Sequence, residues 1–318
     1  MKQKSCDPDY SDLTTIRPSH LRCQRLRAER LHQTLFVIPV NDGEAQRASL
    51  ILQACKAPHV HHSHQKWGAT LDVEMPALRT LLAQPALRKV ETICLFELPG
   101  IWCNDKSMVA SEQELRRRGY QLKIIDHHYY HWCDRQNDLS SLEQLCAYIG
   151  WQMNSDDYHI AINDRSYIPA LIAQGISRQR IRAIRRFDLL AQGWSSPEIS
   201  KQQARAHADI ELGKITVKDN LCVLQKHSPI VVQELFLRTP RLNALSWKSN
   251  SVAFSGAPAV VDKLFDYDFA RLQLPSYSRV YGGGDRRYVK FFGMKTASPI
   301  SSIQIQKLLH LVSRLLNL

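Results

Sequence analysis

The chain has 318 residues, 44% of them hydrophobic and 23% charged. That composition excludes a disordered, collagen-like or low-complexity protein and, at about 150 residues per domain, suits roughly two folded domains. Forty-two Lys and Arg against 30 Asp and Glu leave a net charge of +12, which favours an anionic partner such as nucleic acid or a phosphorylated ligand.

No apolar run approaches the roughly 18 residues of a membrane span, and the first residues lack the apolar core of a secretory signal. Eight cysteines (6, 23, 55, 94, 103, 133, 146 and 222) form no CxxC pair. The pattern predicts reduced thiols in a cytoplasmic protein, with no disulfide framework and no zinc ribbon.

Residues 1–33 form a basic N-terminal extension carrying Arg17, Arg22, Arg25, Arg27 and Arg30, read either as a solvated helix or as an arm that touches phosphates. Segment 34–40 (TLFVIPV) is short, apolar and β-branched, the signature of a buried strand. Helices are predicted over 44–56 and 77–84, and a strand over 92–96 (TICLF). A helix over 110–118 closes at Gly119, and a strand follows over 121–125 (QLKII). Ser140 and Glu143 have capping-box spacing at the head of a helix that ends at Gly150. Segment 158–162 (YHIAI) reads as a strand. The βαβα rhythm implies a mostly parallel sheet covered by helices on both faces.

Residues 178–186 hold five arginines, read either as a solvated helix face or, by preference, as a track for phosphates. A connecting helix is expected over 196–214 and a smaller α+β domain over 215–318. Short strands are expected there at 221–224, 230–237, 244–247 and 251–254, and an amphipathic helix over 302–316. His59, His61, His62 and His64 match neither zinc-finger nor helix-pair spacing and read as a loop.

The acidic and histidine residues gather after predicted strands. Asp42 and Glu44 follow the first, Glu97 the second, Asp126, His127 and His128 the third, and Asp164 and Arg165 the segment 158–162. In an open parallel sheet such ends converge on one crevice. Several carboxylates there repel unless cations neutralise them, and oxygen ligands with one or two imidazoles suit Mn²⁺ or Mg²⁺. Two such ions would clamp a phosphoryl group and generate a nucleophile.

With those residues in place, IIDHHYYHW resembles the Asp-His-His signature of the DHH phosphoesterase superfamily. SSLEQLCAYIG is similar to the helix that commonly follows it. VNDGEAQRASLIL, LFELPG and INDRSYIPA are similar to its other acidic motifs, and YGGGDRRYVKFFG resembles the glycine loop of the associated DHHA1 domain. The resemblance spans about 34 to 293 in order. It implies an α/β chain with a parallel-sheet DHH domain over 34–195 and a DHHA1-like substrate domain over 215–318. It also implies a metal-dependent phosphodiester hydrolase, a nuclease acting on single-stranded or short nucleic acid.

On that resemblance Asp42 binds a first metal, Glu44, His127 and Asp164 a second, and Glu97 bridges them. Asp126 orients His127, and His128 donates to the scissile phosphate. Gly282, Gly283, Gly284, Asp285, Arg286, Arg287 and Arg165 hold the substrate, the glycine N–H groups as an anion nest. The chain departs from the family at four points. Glu44 and Glu97 stand where aspartates are usual, Asp285 replaces the loop histidine, and the first motif has Ile38 and Val40 where a histidine is expected. The departures predict one weakly held ion of the two, and they motivate the alternative of a catalytically inactive DHH fold that binds nucleic acid or a partner protein.

Overall fold

The structure is a computed structural model that describes residues 10–16, 25–66, 68–101, 110–225 and 228–317. The chain divides into two compact units and crosses between them repeatedly. The first takes the described residues through His127 with Arg135–Asp164 and Arg182–Ser195. The second takes His128–Asp134, Arg165–Ile181 and the described residues from Ser196 onward. The division therefore differs from the continuous segments 34–195 and 215–318, and the expected connector at 196–214 lies inside the second unit.

The first unit is built on a parallel sheet of β1 (Thr34–Pro39), β2 (Val60–Ser63), β3 (Thr92–Phe96) and β4 (Gln121–Ile125), in the order β2-β1-β3-β4. Every residue of β1 is buried, as a strand covered on both faces requires. Leu35, Val37, Ile93 and Leu95 face a core closed by Leu71, Met75 and Leu78 of α3 (Leu71–Leu82) and by Leu115 of α4 (Ala110–Arg117). On the opposite face, Phe36 meets Tyr148 of α5 (Ser141–Ile149) edge to face, and α2 (Gly43–Ala54) buries Ala48, Ile51 and Leu52. The capping box of Ser140 and Glu143 is present, and Gly150 ends α5 in the left-handed region. β1 leads out to β2 on one side and the chain returns to β3 on the other, so the order of the sheet reverses between β1 and β3. That is where an open α/β sheet offers a crevice.

Several expectations are corrected. Segment 158–162 is not a strand but part of α6 (Ser155–Ala173), which carries a non-helical residue, Tyr167, at φ 56°. Asn154 and Asp157 cap its start reciprocally: the Asp157 N–H donates to Asn154 Oδ1 at 2.9 Å and the Asn154 N–H to Asp157 Oδ2 at 3.0 Å. The histidine tract 59–64 is not a loop but contains edge strand β2. His61 Nε2 sits 2.6 Å from Glu74 Oε1, and His62 Nε2 2.8 Å from Ser49 Oγ. Helix α7 (Arg178–Ala191) is no phosphate track along its length, because Arg185 and Arg186 are buried. In the N-terminal extension, α1 (Arg25–His32) places Arg30 against Tyr148, donating to its carbonyl at 2.8 Å. Arg17, Arg22 and the side chains of Arg25 and Arg27 lie outside the described residues.

The second unit carries a mixed sheet of eight strands among the described residues. They are β5 (Tyr129–Tyr130), β6 (Cys133–Asp134), β7 (Val217–Lys218), β8 (Leu221–Leu224), β9 (Asn243–Lys248), β10 (Ser251–Gly256), β11 (Tyr277–Gly284) and β12 (Lys290–Thr296). Their order is β6-β5-β11-β12-β10-β9-β8-β7, antiparallel except between β8 and β9. The parallel pair is joined by α9 (Pro229–Arg238), where a strand was expected over 230–237. Ser228 caps it and Pro229 opens it, a start signal that the apolar run obscures. α8 (Ser196–Glu211) precedes β7. Leu245, Val252, Phe254, Phe292 and Met294 form the core with α10 (Pro258–Phe265) and α11 (Ser302–Leu316). No described helix is long and apolar enough to cross a membrane.

Candidate metal centre

β1, β3 and β4 each end at the same edge of the parallel sheet, and each exit supplies part of one cluster. After β1, Asp42 is the N-cap of α2, its Oδ1 accepting the Ala45 N–H at 2.8 Å. Glu44 lies in the first turn, fully buried, with Oε1 accepting the Leu142 N–H at 2.9 Å. After β3, Glu97 takes a left-handed backbone conformation (φ 47°) and donates its N–H to Ile125 O at 2.8 Å. After β4 comes His127, 3% exposed. Asp164 arrives from α6 and not from a strand end.

The imidazole is the hub. His127 Nε2 lies 2.6 Å from Asp164 Oδ2, 3.4 Å from Glu97 Oε1 and 3.9 Å from Glu44 Oε2. Ligand atoms of Glu97, His127 and Asp164 lie within 4.8 Å of one another, a group that could hold a metal ion. Glu44 Oε2 adds a buried oxygen with no hydrogen-bond partner among the described residues. An acidic pocket with a buried, unsatisfied carboxylate oxygen facing an imidazole fits a divalent cation.

Burial pushes the Asp42 carboxyl well above its ordinary range, and the charges of Glu97, Asp164 and Asp188 add to the effect. Glu44 is raised by burial, then by Asp164 and Glu97. For His127, burial disfavours the charged ring, but Asp164, Glu97 and Glu44 outweigh it and its pKa rises. A raised carboxyl stabilises the fold less as pH climbs above its unfolded value, near 4, toward its folded one. A raised imidazole stabilises fully below about 6.5 and loses that contribution as pH passes its folded value. Both trends run the same way. Metal-free protein is therefore expected to melt at a higher temperature at about pH 5.5 than at about pH 7.5, and Mn²⁺ to raise the melting temperature most at the higher pH. Thermal melts with chelator and with Mn²⁺ check this; parallel pH profiles would overturn it.

Sequence reasoning missed Asp188 of α7. Its Oδ1 accepts the Gly43 N–H at 2.8 Å, while Oδ2 accepts from Arg185 at 2.6 Å and from Gln192 at 2.9 Å. It thereby fixes the turn that presents Asp42 and Glu44. Gly43 is required for this approach, because a Cβ there would meet Asp188 Cα at 2.9 Å. The Asp-Gly pair was the visible signal, and its partner, 145 residues away in sequence, was not.

The remaining expected site residues have surroundings of their own. Asp126 is buried, and its carbonyl accepts from Gln144 Nε2 at 2.9 Å. His128 opens the second unit, its ring 6.0 Å from Phe291 and 6.1 Å from Tyr130. Gly282–Gly284 do not form an anion nest: they are strand residues of β11, paired with Phe292, Phe291 and Lys290 of β12. Their small size admits neighbours, since a Cβ on Gly282 would meet Phe265 at 2.4 Å and one on Gly283 would meet His128 at 3.3 Å. Asp285 is an acceptor within the protein. Its Oδ2 takes Ser166 Oγ at 2.9 Å and Arg165 at 3.2 Å, and its Oδ1 takes the N–H groups of Arg287 and Tyr288. Arg286 and Arg287 are exposed.

No family model and no curated protein matches the chain. Among solved structures, an uncharacterized protein from Helicobacter pylori G27 aligns over 90% of this chain and 99% of that chain, at 11% identity and a TM-score of 0.29.

Proposed function

We propose that this chain is a metal-dependent phosphodiester hydrolase of the DHH kind, acting on single-stranded or short nucleic acid. The observation that carries the reading is the convergence of Glu44, Glu97 and Asp164 on His127 Nε2 at one edge of a parallel sheet. Buried anions at this density call for a cation, and the chain has imidazole and carboxylate donors in the mixture that suits Mn²⁺ or Mg²⁺. Glu44, Glu97, His127 and Asp164 would hold the tighter ion, and Asp42 a weaker second one. A divalent cation there supplies Lewis-acid polarisation of a phosphoryl oxygen and acidifies a water. The protein's own contribution is placement: Asp188 sets the β1 exit and the left-handed backbone at Glu97 sets the β3 exit. Net charge +12 suits a polyanionic substrate. Cys94, Cys146 and Cys222 are free thiols, which suits a reducing compartment such as the cytoplasm.

Mn²⁺ titration by calorimetry is expected to give one tight site and one that fills only at high metal or with oligonucleotide present. Degradation of labelled single strands is expected to keep rising with Mn²⁺ after the tight site saturates. Two equal, tight sites without substrate would overturn the assignment of Asp42. A chain that binds oligonucleotide but no metal at all would be the inactive, binding-only relative.

A further inference from the structure

We infer that the segment after the metal-centre histidine is a stacking platform for unpaired nucleobases, built from His128, Tyr130, Trp132 and Arg279. Successive strand residues face opposite sides, and the segment divides accordingly. Tyr129 turns inward, its ring centroid 4.2 Å from Phe265 of the second unit's core. Tyr130 lies on the other face of the strand. Its ring lies 6.1 Å from His128 and is stacked at 5.3 Å and 29° on Trp132. Trp132 sits in the two-residue connection between paired Tyr130 and Cys133, and the Arg279 guanidinium lies 5.2 Å from its ring centroid. Rings and guanidinium form a continuous row whose members are all partly exposed.

The row is held rigidly. Tyr129 and Tyr130 pair with Gly282 and Tyr281 of β11, and His131 Nδ1 accepts the Val280 N–H at 3.0 Å. Aromatic faces with an interleaved guanidinium recognise bases through stacking and cation–π contact, with little dependence on sequence. Arg279, with exposed Arg286 and Arg287 in the same unit, suits a ligand that carries phosphates beside its bases. Duplexes hide base faces, so the ligand is a single strand. The inference takes its anionic substrate from the function proposed above and adds that the base is what this chain grips.

The test is binding of a five-nucleotide oligodeoxythymidine in the presence of chelator, read by intrinsic tryptophan fluorescence and by anisotropy of a labelled copy. The oligonucleotide is expected to quench fluorescence. Trp132→Leu should remove most of the quench and weaken binding about tenfold or more, and Tyr130→Leu should weaken binding similarly. The unaltered protein should bind an abasic oligomer of the same length about tenfold more weakly, a comparison that needs no variant to fold. Equal affinity for the abasic and base-bearing oligomers would overturn the inference. The hydrolase reading fails separately: base-dependent binding without cleavage in any metal keeps the platform, whereas Mn²⁺-dependent cleavage with base-independent binding removes it.

Discussion

Replacing His127 with alanine is expected to abolish hydrolysis and to weaken Mn²⁺ binding by at least about 100-fold, since loss of groups that only orient ligands already costs 10–100-fold. His127 supplies the nitrogen that Glu44, Glu97 and Asp164 all face. Without it the carboxylates keep their repulsion and lose the group that unites them. The residue follows β4 and is buried, so the loss is read on variant protein that circular dichroism shows to be folded. Calorimetry with Mn²⁺ beside circular dichroism checks both halves. A folded variant with Mn²⁺ affinity within about threefold of the parent would remove the imidazole from the site.

The largest stability effect is expected at a pair remote from that chemistry. Arg47 of α2 and Asp157 of α6 are joined at 2.7 Å with both side chains wholly buried. Arg47 also donates to Leu13 O at 2.7 Å, and Asp157 accepts from Trp151 Nε1 at 3.0 Å. Removing one partner strands a buried charge, so Asp157→Ala is expected to cost about 3–5 kcal/mol. That corresponds to a fall of roughly 10 °C in the melting temperature of the first unit. Replacing both partners with leucine should cost less than the sum of the single changes, because neither charge is left alone. Additive losses in thermal melts would show that the two residues act independently.

How much was legible in the sequence follows the physics of each segment. β1, β3 and β4 are short β-branched runs between turn residues, and α5 carries both caps in its local sequence, so each could be read without its neighbours. The runs at 158–162 and 230–237 are equally apolar but helical. Their decisive signals were polar and upstream, the Asn154–Asp157 reciprocal cap and the Ser228-Pro229 start. β2 was hidden because its alternation is polar, with histidines satisfied by Glu74 and Ser49. At the candidate site, Asp42, Glu44, Glu97, His127 and Asp164 were visible as acids and imidazole after apolar segments. Asp188, Arg185 and the burial of Arg186 were not, since only tertiary packing separates a buried arginine from a solvated one. The glycine run was visible, but its role is to admit the rings of Phe265 and His128 beside β11.

Glu97 carries a consequence for any directed evolution of this chain. Its φ of 47° lies where side chains with a Cβ are strained by roughly 1–2 kcal/mol and where glycine is not. Burial beside other acids adds a second cost to the same residue. A library selected only for heat resistance would therefore enrich glycine at position 97, trading away a carboxylate of the cluster for a relaxed backbone. Screens that demand metal retention and screens that demand robustness would pull this one codon in opposite directions, and the divergence would appear there before it appeared anywhere in the core.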